Sequence, residues 1–264
     1  MIHLQYLSAT RIFGPDSGSF LQSQLSADIG SLEPGQATFA AYCTPRGQVL
    51  GLLLVCHSGD SFELVARSEL LAGVIQRLKI FVMRSKVDWD ESGEQRVFGI
   101  AADTEAPPGS SRFTPSTLPL TYAIDGTEQR SAEGAEFWKS EELRLGIAWL
   151  DPSTTEKFIP QMLGEDKIGA LSFSKGCYPG QEIVARTRYL GKVKRKPLIV
   201  TAKGSVKLDN ASKLEINYPG ESVSGTLIDS AENASGDTVL FIVTNLLEGK
   251  KPESISYEGQ SFSL

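Results

Sequence analysis

Val49-Leu50-Gly51-Leu52-Leu53-Leu54-Val55-Cys56-His57, followed by Ser58-Gly59-Asp60 and Phe62-Glu63-Leu64-Val65-Ala66, is the stretch from which the fold class is read. Two strand-sized apolar runs joined by a Ser-Gly-Asp turn predict an antiparallel hairpin. Ser68 then predicts the cap of a helix whose apolar stripe is Leu70, Leu71, Val74, Ile75 and Leu78. Lys79 to Met83 and Arg96 to Ile100 return to β-like composition. The order strand, strand, helix, strand predicts an α+β lobe with an antiparallel sheet.

Working outward, Asp16 to Ile29 reads as a helix capped by Asp16, with Phe20, Leu21, Gln24, Leu25 and Asp28 at helical spacing. Residues 103–121 are rich in Pro, Ser and Gly and read as a long loop between lobes. A helix is predicted around Ala132 to Leu145. From Pro197 to the end, short alternating strands such as Leu198 to Thr201 and Thr238 to Val243 are divided by turn signals at Tyr218-Pro219-Gly220 and Ser235-Gly236-Asp237. These predict a small C-terminal β-barrel or sandwich.

Composition narrows the class. The chain has 264 residues, 41% of them hydrophobic, and a net charge of −6. That balance excludes a protein that coats nucleic acid with its whole surface. One local exception stands out: Lys175, Arg186, Arg188, Lys192, Lys194, Arg195 and Lys196 against the single acid Glu182. No apolar run approaches the roughly 18–20 residues of a membrane span. The start lacks the pattern of a secretory signal. Cys43, Cys56 and Cys177 are odd in number and scattered, which predicts reduced thiols and a cytoplasmic location.

Several chemistries find no support. There is no phosphate-binding loop ending in Lys-Ser or Lys-Thr, no Gly-x-Gly-x-x-Gly, no Gly-x-Ser-x-Gly and no His-Glu-x-x-His. Three scattered cysteines and two histidines argue against a zinc or iron–sulfur centre within the chain. Cys56 and His57 are neighbours in a strand, so their side chains face opposite ways and form no dyad.

Lys175-Gly176-Cys177-Tyr178-Pro179-Gly180-Gln181-Glu182 is the segment that carries chemistry. Ile168 to Phe173 reads as a short buried strand leading into it, and Gln181 to Arg186 as the start of a helix, with Glu182 and Arg186 at i,i+4. Cys177 is thus placed just before a helix N-terminus, with Lys175 two residues behind. Unsatisfied amides and a nearby ammonium both favour a thiolate. Gly176 and Gly180 permit close backbone approach by a ligand or another chain. A cysteine without such neighbours reads instead as a small buried hydrophobe, and the basic run Lys192 to Lys196 as a solvated connector.

Lys175-Gly176-Cys177-Tyr178-x-Gly180-Gln181-Glu182, with Val184-Ala185-Arg186 after it, resembles the signature of the YgfZ family, folate-binding relatives of the aminomethyltransferase (T-protein) of glycine cleavage. Gly14-Pro15-Asp16 with Phe20 to Asp28, Thr44-Pro45-Arg46-Gly47, and Arg84 to Val87 extend the resemblance over most of the chain. It implies a three-lobed ring around a central hole that takes tetrahydrofolate, ending in a β-barrel over 197–264. The folate-binding region would be 1–196, as two interleaved lobes: 1–47 with 112–196, and 48–111. It further implies an accessory protein for iron–sulfur enzymes, including those that modify tRNA. Its partners would be folate, iron–sulfur proteins or their assembly factors, and tRNA or a tRNA-modifying enzyme, with no membrane. Cys177 would be the reactive residue; Lys175, Gly176, Tyr178, Gly180, Gln181, Glu182 and Arg186 would serve the folate site.

Two departures matter. T-proteins carry an acid pair where this sequence has Gly51 and Leu52, which disfavours aminomethyl transfer because that reaction needs a carboxylate to steer protons. T-proteins also carry Arg-x-Glu-Ala-Gly, with the glutamate on the pterin; here the text is Arg144-Leu145-Gly146, leaving Glu141 or Glu142 as substitutes. Two alternative functions follow from the same residues: a folate-dependent one-carbon transferase or oxidase, and an RNA-binding module using Arg186 to Lys196.

Overall fold

The apolar run that opens β3 (Val49–His57) is buried on both sides, and this sets the layering. Leu52, Leu54 and Cys56 enter one core cluster while Leu53 and Val55 enter another, as the two-residue period of a strand requires. The computed structural model describes residues 1–90, 95–100, 110–125, 131–247 and 249–264. In it β3 lies between β2 (Ala37–Cys43) and β4 (Ser61–Arg67), antiparallel to both. The sheet continues through β1 (Ile2–Phe13), β6 (Gln95–Ile100), β8 (Thr121–Asp125) and β7 (Ser111–Phe113), with β5 (Asp88–Trp89) added to β1. It curls far enough for Ala37 at one edge to bridge Pro115 beyond the other. Helices α1 (Ser17–Gln24) and α2 (Ser68–Ile80) cover one face through Phe20, Leu21, Leu71, Val74 and Leu78. Trp138 of α3 (Ala135–Arg144), with Ile147, Trp149 and Ile168, covers the other.

The second sheet holds six antiparallel strands: β9 (Arg195–Ala202), β10 (Lys213–Tyr218), β11 (Glu221–Glu232), β12 (Thr238–Asn245), β13 (Ser254–Tyr257) and β14 (Gln260–Ser263). Their spatial order is β14-β13-β10-β11-β12-β9. The Lys203 amide, just past β9, donates to the Ser263 carbonyl of β14 at 3.0 Å, so the two ends of the sheet approach each other. In β12, Leu240 and Ile242 fill the core of this sheet, while Val239, Phe241 and Val243 face Leu143, Leu150 and Phe158 of the preceding region.

Several sequence expectations are corrected. The helix expected over Asp16–Ile29 stops at Gln24, and Ile29–Ser31 is a separate 3-10 turn. Asp16 stands at the N-cap, but its carboxylate makes no capping bond and accepts the Lys86 amide at 2.8 Å instead. Ser68 is the first residue inside α2 rather than its cap, and its hydroxyl meets that of Ser8. Lys79 to Met83 is not a strand: α2 runs on to Ile80, and the residues after it turn at the surface, with Met83 at φ 46. Ile168 to Phe173 is not a strand either. Gly169 sits at φ +79, and the Ser172 amide bonds the Ser26 carbonyl rather than a ladder. Residues 103–109 of the expected long loop lie outside the described residues, and Ser111–Phe113 within it forms β7.

A buried polar network joins the two sheets. Asp229, at a bulge of β11, accepts Arg67 at 3.1 Å from the end of β4 and Lys139 at 2.6 Å from α3. Glu142 of α3 is fully buried and accepts the hydroxyls of Tyr6 at 2.7 Å and Tyr122 at 2.8 Å. Burial pushes the Glu142 carboxyl up to about 7, against the opposing pull of the two tyrosines.

The same scaffold fixes the Cys177 segment. Helix α4 (Gln181–Tyr189) is preceded by Gly180 at φ +83, in the left-handed region. A β-carbon at Gly180 would stand 2.6 Å from the Thr44 carbonyl oxygen and 2.7 Å from the Gly47 α-carbon. One on Gly47, itself at φ +75, would stand 2.9 Å from the Ile183 β-carbon. The β2–β3 turn and the start of α4 therefore touch backbone to backbone.

Two predictions follow from this packing. Gly180→Ala combines left-handed strain with overpacking and should destabilise the fold by about 3 kcal/mol in denaturant titration. Gly176→Ala, with nothing within 4 Å of the added carbon, should stay within about 0.5 kcal/mol. The raised Glu142 pKa has a definite sign: its stabilising share is complete below the unfolded carboxyl value and is lost as pH rises through about 7. The melting temperature should thus fall between pH 5 and pH 8. Glu142→Gln, which cannot ionise, should flatten that slope by up to about 3 kcal/mol. Glu63, also raised to about 7 by burial, should leave a residual slope.

Candidate functional site

Of the three thiols, Cys43 and Cys56 are buried and Cys177 is exposed. Burial pushes the Cys43 and Cys56 thiols well above their ordinary range, with the nearby Glu165 and Glu63 adding to it. Both are packing residues. Cys177 stands at the crest of a loop whose flanks are held down: Tyr178 and Gly180 are buried, while Gly176 and Cys177 face solvent.

Lys175 is the main anchor of that loop. Its ammonium donates to the carbonyl oxygens of Gln22 at 2.5 Å, Leu25 at 2.6 Å and Ala27 at 2.8 Å, and lies 5.4 Å from the centre of the Tyr178 ring. These carbonyls lie at and beyond the C-terminal part of α1, where a helix leaves acceptors without amide partners. Burial pulls the Lys175 pKa down to about 8, partly offset by Asp28. The sequence reading gave this ammonium to the thiol; its hydrogen bonds instead tie the loop to α1. Burial raises the Tyr178 phenol, and the adjacent Cys43 adds to the effect.

On α4, Gln181 is half-buried, and Glu182 and Arg186 are exposed. Among the described residues, none of these three side chains has a hydrogen-bond or ion-pair partner within the chain, and the expected Glu182–Arg186 pair is not made. Gln161, from the Pro160–Met162 3-10 turn, supports the helix from beneath by donating to the Val184 carbonyl at 2.7 Å. Sequence reasoning did not assign Gln161 or the Thr44–Gly47 turn to the site. The Pro45-Arg46-Gly47 turn chemistry was visible, but its apposition to Gly180 crosses more than 130 residues of chain. Arg46 in that turn is exposed.

The departures from T-proteins are visible in the geometry. Gly51 lies within β3 beneath Val74, and Leu52 is core, so neither places a carboxylate near a ligand. Glu142 is sequestered by two tyrosines, and Glu141 lies 3.5 Å from Arg144. Gln181, Glu182 and Arg186 together offer an amide, a carboxylate and a guanidinium, donors and acceptors of the kind that hold a polar ligand with amide and carboxylate groups. A cleft of about 920 Å³ is lined by Phe13, Gln22, Ile29, His57 and Phe62 among others, and by no residue of the Lys175–Glu182 segment. Among the described residues, no cluster of His, Cys, Asp and Glu could hold a metal ion, and no helix is long and apolar enough to cross a membrane.

No family model matches the chain. It is 29% identical over 260 residues to an uncharacterized protein of Haemophilus influenzae, covering 91% of this chain and 89% of that one. It is 28% identical over 277 residues to the tRNA-modifying protein YgfZ of Vibrio atlanticus, covering 94% and 85%. The tRNA-modifying protein YgfZ of Escherichia coli O157:H7 is 26% identical, covering 92% and 84%. In three dimensions the chain matches the glycine cleavage system aminomethyltransferase T of Bartonella henselae with a TM-score of 0.69 and 13% identity, over 99% of this chain and 83% of that one. The structural match shows that the chain has the fold of the glycine cleavage aminomethyltransferase, and the sequence matches, each spanning most of the chain, make it similar to the YgfZ proteins.

Proposed function

We propose that this chain is a cytoplasmic, folate-binding accessory protein that supports assembly or repair of iron–sulfur enzymes, including those that modify tRNA, with Cys177 as its reactive handle. The observation that carries the reading is the contrast among the thiols. Two are packed into cores, and the third is lifted into solvent on a loop pinned by Lys175, Tyr178 and Gly180. A loop held this firmly keeps its crest in one place, as a residue that must meet a partner requires. The names of the relatives favour tRNA modification as the setting. In this reading the ring has three lobes around the folate, 1–196 contributes two of them, and 197–264 closes as a barrel.

Gln181, Glu182 and Arg186 would hold tetrahydrofolate, which when bound supplies a reduced pterin able to carry a one-carbon unit. The residues of this chain bind and orient it. Nothing at Gly51 or Leu52 can move a proton, so a one-carbon transferase or oxidase is the weaker reading.

Tetrahydrofolate titration should give similar affinities for the native chain and Cys177→Ala. The same variant, expressed in cells lacking the native chain, should fail to restore the modified-nucleoside level of an iron–sulfur tRNA-modifying enzyme. Full restoration by Cys177→Ala would remove the thiol from the function, and lack of tetrahydrofolate binding by the native chain would remove the folate. Release of formaldehyde from methylated tetrahydrofolate by the purified protein would favour the oxidase reading instead.

A further inference from the structure

The C-terminal end of α4 presents a feature that the folate and thiol reading leaves unused. The Arg188 guanidinium lies over the Phe173 ring, 4.5 Å from its centre, and Tyr189 meets Phe173 edge-on at 6.3 Å and 76°. Tyr189 is 67% exposed and Leu190 84% exposed, although both are large apolar side chains at a helix end. Around them Arg188, Lys192 and Lys194 are all exposed, and none has an ion pair among the described residues. Arg195, which the sequence groups with this run, is turned inward: it donates to Thr226 at 3.2 Å and lies 5.3 Å from the centre of the Phe158 ring.

Charge and stacking coincide on this surface. A guanidinium seated over one aromatic ring leaves its far side to a further planar group, and an exposed tyrosine offers another such face. Unpaired bases stack on such faces regardless of sequence, while the surrounding cations neutralise phosphates. Duplex nucleic acid keeps its bases stacked on each other and cannot use the aromatic part. A lipid surface would need a wider apolar area than Tyr189 and Leu190 provide.

We propose that the Phe173–Arg188–Tyr189 platform, flanked by Lys192 and Lys194, is a landing site for an unpaired segment of RNA. The proposal deepens the tRNA-linked reading above and rests on it for the source of the RNA. Helix α4 has nine residues, so the platform stands about 13 Å along the axis from the helix start. RNA landing there would lie alongside the Cys177 loop.

The test is fluorescence anisotropy of the full chain with three probes: a labelled stem–loop RNA with an unpaired loop, the same sequence closed into a duplex, and phosphatidylserine vesicles. The stem–loop should bind in preference to the duplex. Tyr189→Ala should weaken stem–loop binding about 10-fold with little change in salt dependence. Arg188→Lys, which keeps charge but loses the plane, should weaken it several-fold. Lys192→Gln and Lys194→Gln should each lower the salt slope by about 0.7. Equal binding of stem–loop and duplex, or no effect of Tyr189→Ala and Arg188→Lys, would overturn the stacking platform. Binding to vesicles but not RNA would assign the surface to lipid and overturn it too. Tetrahydrofolate titration of the native chain separates the two readings: folate binding by a native chain that binds no stem–loop RNA sinks this proposal alone.

Discussion

Everything specific about the site depends on one contact that no side chain could make, the apposition of Gly180 to the Thr44–Gly47 turn. Two backbone segments more than 130 residues apart come within distances that exclude a β-carbon on either side. The left-handed conformations of Gly47 and Gly180 make both bends possible, and each is disfavoured for any other residue. This contact fixes the direction of α4, and α4 fixes the loop that ends at Cys177. The curled first sheet supplies the turn, so the sheet and the site are one construction.

Around that contact, polar groups act mainly as fasteners. Lys175 satisfies three carbonyls near the end of α1, Gln161 reaches a carbonyl within α4, and Asp229 joins Arg67 to Lys139 between the sheets. Breaking a buried ion pair of the last kind leaves an uncompensated charge, which is far costlier than the pair is stabilising. Glu142 belongs to the same class. Its two tyrosyl donors make it a core element, which removes it from any role on a pterin ring.

The sequence carried the α+β class, the paired strands β3 and β4, helix α2, helix α4 and the strand-rich C-terminal region, because each rests on local periodicity and turn chemistry. It misplaced Lys79–Met83 and Ile168–Phe173, where short apolar runs fit a strand as well as a turn. In the first, the side chains of Ile80 and Met83 are exposed, and in the second Gly169 breaks the extended path. The role of Lys175 could not be read locally either. Proximity in sequence paired it with Cys177, but the acceptors that claimed it lie some 150 residues earlier. The platform at Phe173, Arg188 and Tyr189 was half visible, as a basic run whose inward member, Arg195, only the fold identifies.

The central claim is that a rigid frame exposes one thiol of three. Timed reaction of the native protein with a chromogenic disulfide reagent, with the labelled residue located by peptide mass, tests it most directly. The account predicts prompt labelling of Cys177 alone, with Cys43 and Cys56 reacting only after denaturant unfolds the sheets around them. Prompt labelling of either buried cysteine, or a Cys177 that stays inert until unfolding, would contradict it.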